Sequence, residues 1–137
     1  MRKVLSLFLA FLPIATFTNG CGSVETDSGG VRLVTATEAA SITADPPADL
    51  VVLDVRTPDE FAAGHLDGAV MIDFYSDDFA EQIAVLDPNA SYVLYCRSGN
   101  RSGQAASIMK SLGFNDVADI DGGIMSWLDA GFATTTR

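Results

Sequence analysis

A chain of 137 residues carries 18 acidic against 8 basic side chains, a formal net charge of −10. Such a surface repels a phosphate backbone and excludes nucleic acid as a partner. Two cysteines are too few for a disulfide framework, and with a single histidine they do not make a metal ligand set.

Arg2 and Lys3 open the chain, an apolar run from Val4 to Phe17 follows, and Thr18-Asn19-Gly20-Cys21 closes it. That is the layout of a secretory signal, and residues 1–20 are read as one. The run is shorter than the about 20 apolar residues that a membrane span needs. The protein is therefore expected to be exported. Thr18-Asn19-Gly20-Cys21 resembles the lipobox of bacterial lipoproteins, although Thr18 stands where that motif usually has Leu. The resemblance implies acylation of Cys21 and a membrane tether in the bacterial cell envelope. Cleavage after Gly20 by an ordinary signal peptidase would instead release a periplasmic domain with a free Cys21. Loss of Arg2 and Lys3 leaves 18 acidic and six basic residues, a charge of −12.

Residues 21–30 are small, polar and Gly-rich, the composition of a flexible linker. Residues 31–137 suffice for one compact domain. Val31-Arg32-Leu33-Val34 reads as a strand, and Thr35 with Glu38 three positions on is a capping-box start for a helix. Leu50-Val51-Val52-Leu53-Asp54-Val55 has the apolar continuity of a strand buried on both faces. Thr57-Pro58-Asp59-Glu60 starts the next helix with an N-cap, Pro at the first position and Glu at the third. Residues 69–72 form a third strand, and Ser76-Asp77-Asp78 opens a helix whose Phe79, Ile83 and Leu86 share a face.

The fourth strand, Tyr92-Val93-Leu94-Tyr95, runs into Cys96. The helix after it sets Ala105, Ile108, Met109 and Leu112 on one side and stops at Gly113. A fifth strand covers 117–120, and the last helix puts Ile124, Trp127 and Leu128 on one side. Strands alternating with helices predict an α/β fold, a five-stranded, mostly parallel sheet with helices on both faces. In such folds ligands gather at the carboxyl ends of strands, where Cys96 stands.

Three effects converge on Cys96 in the segment Cys96-Arg97-Ser98-Gly99-Asn100-Arg101-Ser102. A helix N-terminus brings unsatisfied N–H groups and a positive dipole end. Ser98-Gly99-Asn100 has the composition of a tight turn whose amides can form an anion-binding nest. Arg97 and Arg101 add full positive charge. Together they predict a lowered pKa and a nucleophilic thiolate. If Cys21 is acylated, Cys96 is the only thiol of an exported protein, and its retention points to chemistry.

This loop resembles the active-site loop of the rhodanese family. Four further blocks agree in order: Leu53-Asp54-Val55-Arg56-Thr57-Pro58-Asp59-Glu60-Phe61, Gly64-His65-Leu66-Asp67-Gly68-Ala69, Gly113-Phe114, and Gly122-Gly123-Ile124 with Trp127. Leu66-Asp67 departs from the Ile-Pro of many members, at a turn with no catalytic group. The resemblance implies a sulfurtransferase. Cys96 takes sulfur from a small anionic donor such as thiosulfate, holds it as a persulfide, and passes it to cyanide or a thiol without a cofactor. The backbone of Ser98, Gly99 and Asn100 would hold the negative charge, Arg97 would bind the donor's sulfonate, and Arg101 would complete the ring. The six residues from Cys96 to Arg101 match the sulfurtransferase loop length, whereas related phosphatases have one more residue. The other function class that the resemblance leaves open is a sulfur carrier or interaction module.

Asp54 and Arg56, at the end of the second strand, are either pocket-facing or a structural ion pair, and the ion pair is the simpler reading. His65, between Gly64 and Gly68, is expected in a turn bonded to backbone rather than as a general base. Glu60 is explained by its capping box, and Trp127 as core.

Overall fold

The computed structural model describes residues 30–137; the proposed signal segment, Cys21 and all of the linker except Gly30 lie outside the described residues. Ten elements alternate along the chain: β1 (Gly30–Val34), α1 (Ala36–Ala44), β2 (Val51–Asp54), α2 (Pro58–Ala63), β3 (Val70–Met71), α3 (Phe79–Ala84), β4 (Ser91–Tyr95), α4 (Asn100–Ser111), β5 (Asp116–Ile120) and α5 (Gly123–Asp129). The strands form one sheet in the order β1-β5-β4-β2-β3, every neighbouring pair parallel. β4 lies at the centre, so the residue that follows it emerges from the best-buried strand.

Side chains alternate across the sheet and build two cores. Leu53, Tyr92, Leu94 and Val117 pack beneath Phe79 and Ile83 of α3 and Ala105, Ala106 and Met109 of α4. Val52, Val93, Tyr95, Ala118 and Ile120 face Ala36 and Ala39 of α1 and Ile124 and Trp127 of α5. The sheet is covered on both faces, as the alternation of elements requires.

Both Thr-x-x-Glu boxes close as read: the Thr35 hydroxyl accepts from the Glu38 amide while the Glu38 carboxylate accepts from the Thr35 amide, and Thr57 and Glu60 repeat this with Pro58 opening α2.

The structure corrects several boundaries. β1 already includes Gly30, so the linker cannot extend through it. β3 contains only Val70 and Met71. Ser76-Asp77-Asp78 forms a turn, because the Asp78 side chain is held by Ser76 and Gln82, and α3 starts at Phe79. Leu112 and Leu128, placed on buried stripes, are 43% and 51% exposed. The buried stripe of α4 is Ser102, Ala105, Ala106 and Met109, one turn nearer the N-terminus, since Leu112 lies at the helix end where the chain turns toward Gly113.

Candidate active site

Cys96 is 1% exposed, at the carboxyl end of β4 and beneath the first turn of α4. Gly99 is the N-cap of α4 at φ +99°, a left-handed conformation that favours glycine. This conformation turns the loop back on itself, and the Gly99 amide donates to the Cys96 sulfur at 3.1 Å. Burial alone would push the thiol's pKa up. The Ser102 hydroxyl and the amides of Ser102, Gly99 and Ser98 outweigh it and hold Cys96 below its ordinary value. Of the loop amides singled out from the sequence, those of Gly99 and Ser98 act on the sulfur, and Ser102 joins them.

The loop is also held from below. The amides of Ile124 and Met125, in the first turn of α5, donate to the carbonyls of Cys96 (2.9 Å) and Arg97 (3.2 Å). With its carbonyls tied to α5, the loop turns its amides toward the sulfur. Gly123 permits this approach: a Cβ there would lie 2.5 Å from the Cys96 carbonyl oxygen and 2.6 Å from that of Arg97.

The two loop arginines part company. Arg101 makes a two-pronged pair with Glu60, Nη1 to Oε2 at 2.7 Å and Nη2 to Oε1 at 2.8 Å, and its guanidinium lies over the Tyr75 ring. The same Glu60 carboxylate still accepts from the Thr57 amide. Arg101 thus holds the loop against α2 rather than standing as a free ligand cation, and Glu60 does more than close its cap. Arg97 is exposed, and among the described residues its guanidinium has no hydrogen bond or ion pair. Ser98 is exposed, and the Asn100 side chain turns back along α4 to accept from Gln104.

Asp54 and Arg56 form a buried ion pair. Arg56 meets Asp54 through Nε and Nη2 (2.9 and 2.6 Å), donates to the Gly64 carbonyl at 2.7 Å and lies over the Tyr95 ring. The pair fastens the end of β2 to the turn after α2, and the Tyr95 hydroxyl accepts from the Leu66 amide in the same turn. His65 stacks on Phe61, its ring nitrogens 2.8 Å and 3.0 Å from the carbonyls of Phe61 and Arg137. Its partners are backbone, as expected.

Two residues of the site were not singled out from sequence. Ser102 is buried beside the sulfur, and its place at the head of the Ser102-Ala105-Ala106-Met109 stripe was the available signal. Asp119 is a buried carboxyl on β5 within an otherwise apolar run. It lines a cleft of about 300 Å3 between β1 and α4, lined also by Lys110 and Ser107, that includes none of the residues from Cys96 to Arg101.

Among the described residues one cysteine, buried and met by a backbone amide, stands at the carboxyl end of the central strand of a parallel α/β domain. The chain belongs to the rhodanese-like domain family, whose sequence model matches residues 35–130. Its relatives include the thiosulfate sulfurtransferase GlpE of Pseudomonas aeruginosa, 42% identical over 76 residues, which are 56% of this chain and 67% of that protein. The probable adenylyltransferase/sulfurtransferase MoeZ of Mycobacterium tuberculosis is 38% identical over 78 residues, 57% of this chain but only 20% of that protein. Among solved structures, a rhodanese-related protein from Thermoplasma volcanium superposes with a TM-score of 0.68 at 28% identity, covering 77% of this chain and 99% of that one.

Proposed function

We propose that this protein is a sulfurtransferase that moves sulfane sulfur from an anionic donor such as thiosulfate to cyanide or a thiol through a persulfide on Cys96. The observation that carries the reading is the donor set around the sulfur, which favours a thiolate in a buried place. The thiolate attacks the outer sulfur of the donor. A new S–S bond forms, the donor's own S–S bond breaks, and sulfite leaves with the electron pair. The acceptor then attacks the outer persulfide sulfur and Cys96 departs as thiolate, so the enzyme returns to its starting state with no outside oxidant or reductant. The loop amides serve the persulfide anion as an oxyanion hole serves oxygen. Arg97, exposed in the loop and without an ion pair among the described residues, would meet the sulfonate of the donor. The likeness to GlpE of Pseudomonas aeruginosa, a thiosulfate sulfurtransferase, supports the choice of donor.

The test is turnover with thiosulfate and cyanide, wild type against Cys96→Ser, alongside the mass of the protein after donor alone. Turnover that vanishes with the serine variant, with one sulfur atom gained by the wild type, is the expected result. Activity that survives the substitution would overturn the assignment. A stable persulfide with negligible turnover would favour a carrier instead. Export and tethering through Cys21 belong to the same proposal, and Cys21→Ser should shift the protein from the membrane to the soluble fraction.

A further inference from the structure

Ser102 and Asp119 are both buried on the side of the sheet that α4 covers, with no hydrogen bond between them. Ser102 sits in the first turn of α4 at 0% exposure and Asp119 on β5 at 2%. Among the described residues, the Ser102 hydroxyl and Asp119 Oδ1 are the buried side-chain polar atoms without a partner at full hydrogen-bond geometry. Two such orphans are costly in an otherwise satisfied interior.

Asp119 lines a cleft with Gly103 and Ala106, the α4 residues next to Ser102 and one turn beyond it, and the unpaired Ser102 hydroxyl draws the titration of both Cys96 and Asp119 downward. A hydroxyl has one proton to donate and cannot serve both. Ionised Asp119 accepts that proton and leaves the sulfur facing an oxygen lone pair. Protonated Asp119 is itself a donor to the hydroxyl, which is then free to point its own proton at the sulfur.

We propose that Asp119 is a positioning residue for the nucleophile: its proton decides whether the Ser102 hydroxyl donates to Cys96 or to the carboxylate. The inference rests on Cys96 being the nucleophile, though not on the identity of what it transfers. The surroundings suit a group that changes state in the working range. Burial, with Asp121 adding repulsion from the β5–α5 turn, pushes the Asp119 carboxyl up to about 6. Lys110 of α4 is the cation lining the same cleft, β1 contributes Val31 and Leu33, and β4 sets Leu94 in register beside Asp119.

The test is the alkylation rate of Cys96 by iodoacetamide, a neutral reagent, in the full chain from about pH 5 to 10, read on the Cys96 peptide by mass spectrometry. Asp119→Asn always has a proton for the hydroxyl and should lower the Cys96 midpoint by about one pH unit. Ser102→Ala should raise the midpoint, and in that background Asp119→Asn should change nothing. Asp119→Ser, which also keeps a donor and cannot ionise in this range, supplies a second measure of the downward shift. An unmoved midpoint in both Asp119 variants would overturn the proposal. So would a shift of equal size with and without Ser102, since the carboxylate would then act by charge alone. This pattern in a protein that transfers no sulfur would overturn the proposed function and leave the hydroxyl switch standing.

Discussion

Glu60 and Arg101 are 41 positions apart in sequence yet meet through two parallel hydrogen bonds, at 2.7 and 2.8 Å, joining the first turn of α2 to the first turn of α4. The Arg101 contact, more than the cap, holds the Glu60 carboxyl down to about 2. The folded state therefore releases this proton more readily than the unfolded chain, whose Glu titrates near about 4.3. The resulting stability is fully present above about pH 4.5 and is lost as pH falls through about 2. Both side chains are partly exposed, which discounts the gain, and Glu60→Gln should cost about 1–2 kcal/mol at neutral pH. Urea unfolding at neutral pH and near pH 2 checks this, with the difference between wild type and variant shrinking in acid.

Asp119 has the opposite sign. Its folded carboxyl titrates at about 6, above the about 3.9 of an unfolded Asp. The folded state holds the proton more tightly, so its stabilising effect is complete below about pH 4 and disappears as pH rises through 6. At pH 8 the buried carboxylate is a burden, and Asp119→Asn should raise stability there by about 2 kcal/mol. The same variant should gain little near pH 4. Denaturant midpoints at the two pH values decide it.

These two carboxylates also mark where the sequence stopped being legible. The parallel sheet, both capping boxes and the place of Cys96 followed from local patterns: unbroken apolar runs, Thr-x-x-Glu spacing, and a small-residue turn between a strand and a helix. Glu60 already had a sufficient local explanation in Thr57, and nothing local pointed to a partner 41 residues on. In sequence Arg101 is indistinguishable from Arg97 as a loop cation, because their spacing says nothing of what faces each one. Asp119 looked like one more residue of a strand. Leu112 and Leu128 kept the helical period but sit where their helices leave the sheet, and periodicity fixes a face without fixing how far the cover extends.

Arg97 is the loop cation left unpaired among the described residues, and it is exposed beside Cys96. Arg97→Ala should raise KM for thiosulfate by about tenfold with a smaller effect on kcat, since the sulfonate contact exists before and during transfer. Added salt should weaken thiosulfate binding in the wild type more than in the variant. The pH midpoint of Cys96 alkylation should stay in place, because the groups lowering it are the Ser102 hydroxyl and the loop amides. A midpoint that rises by a unit or more in Arg97→Ala would give the guanidinium a share in the cradle.

Two glycines near the loop should respond in opposite ways to the same methyl group. At Gly123 the backbone has φ +60°, and a Cβ would press on the carbonyl oxygens of Cys96 and Arg97 at 2.5 and 2.6 Å. Those carbonyls are the acceptors that α5 uses to hold the loop, so Gly123→Ala should displace the loop as well as strain the turn. The expected cost is about 2 kcal/mol or more in stability, with turnover reduced at least about tenfold by misplacement of the sulfur. Gly103 lies inside α4, where a Cβ meets nothing within 4 Å. Gly103→Ala should therefore stabilise the protein by about 0.5–1 kcal/mol through helix propensity alone. Its sulfur-transfer rate should be unchanged. Thermal unfolding and turnover measured on both variants test the claim that the close approach of Gly123 to the loop carbonyls, and not glycine content as such, shapes the site.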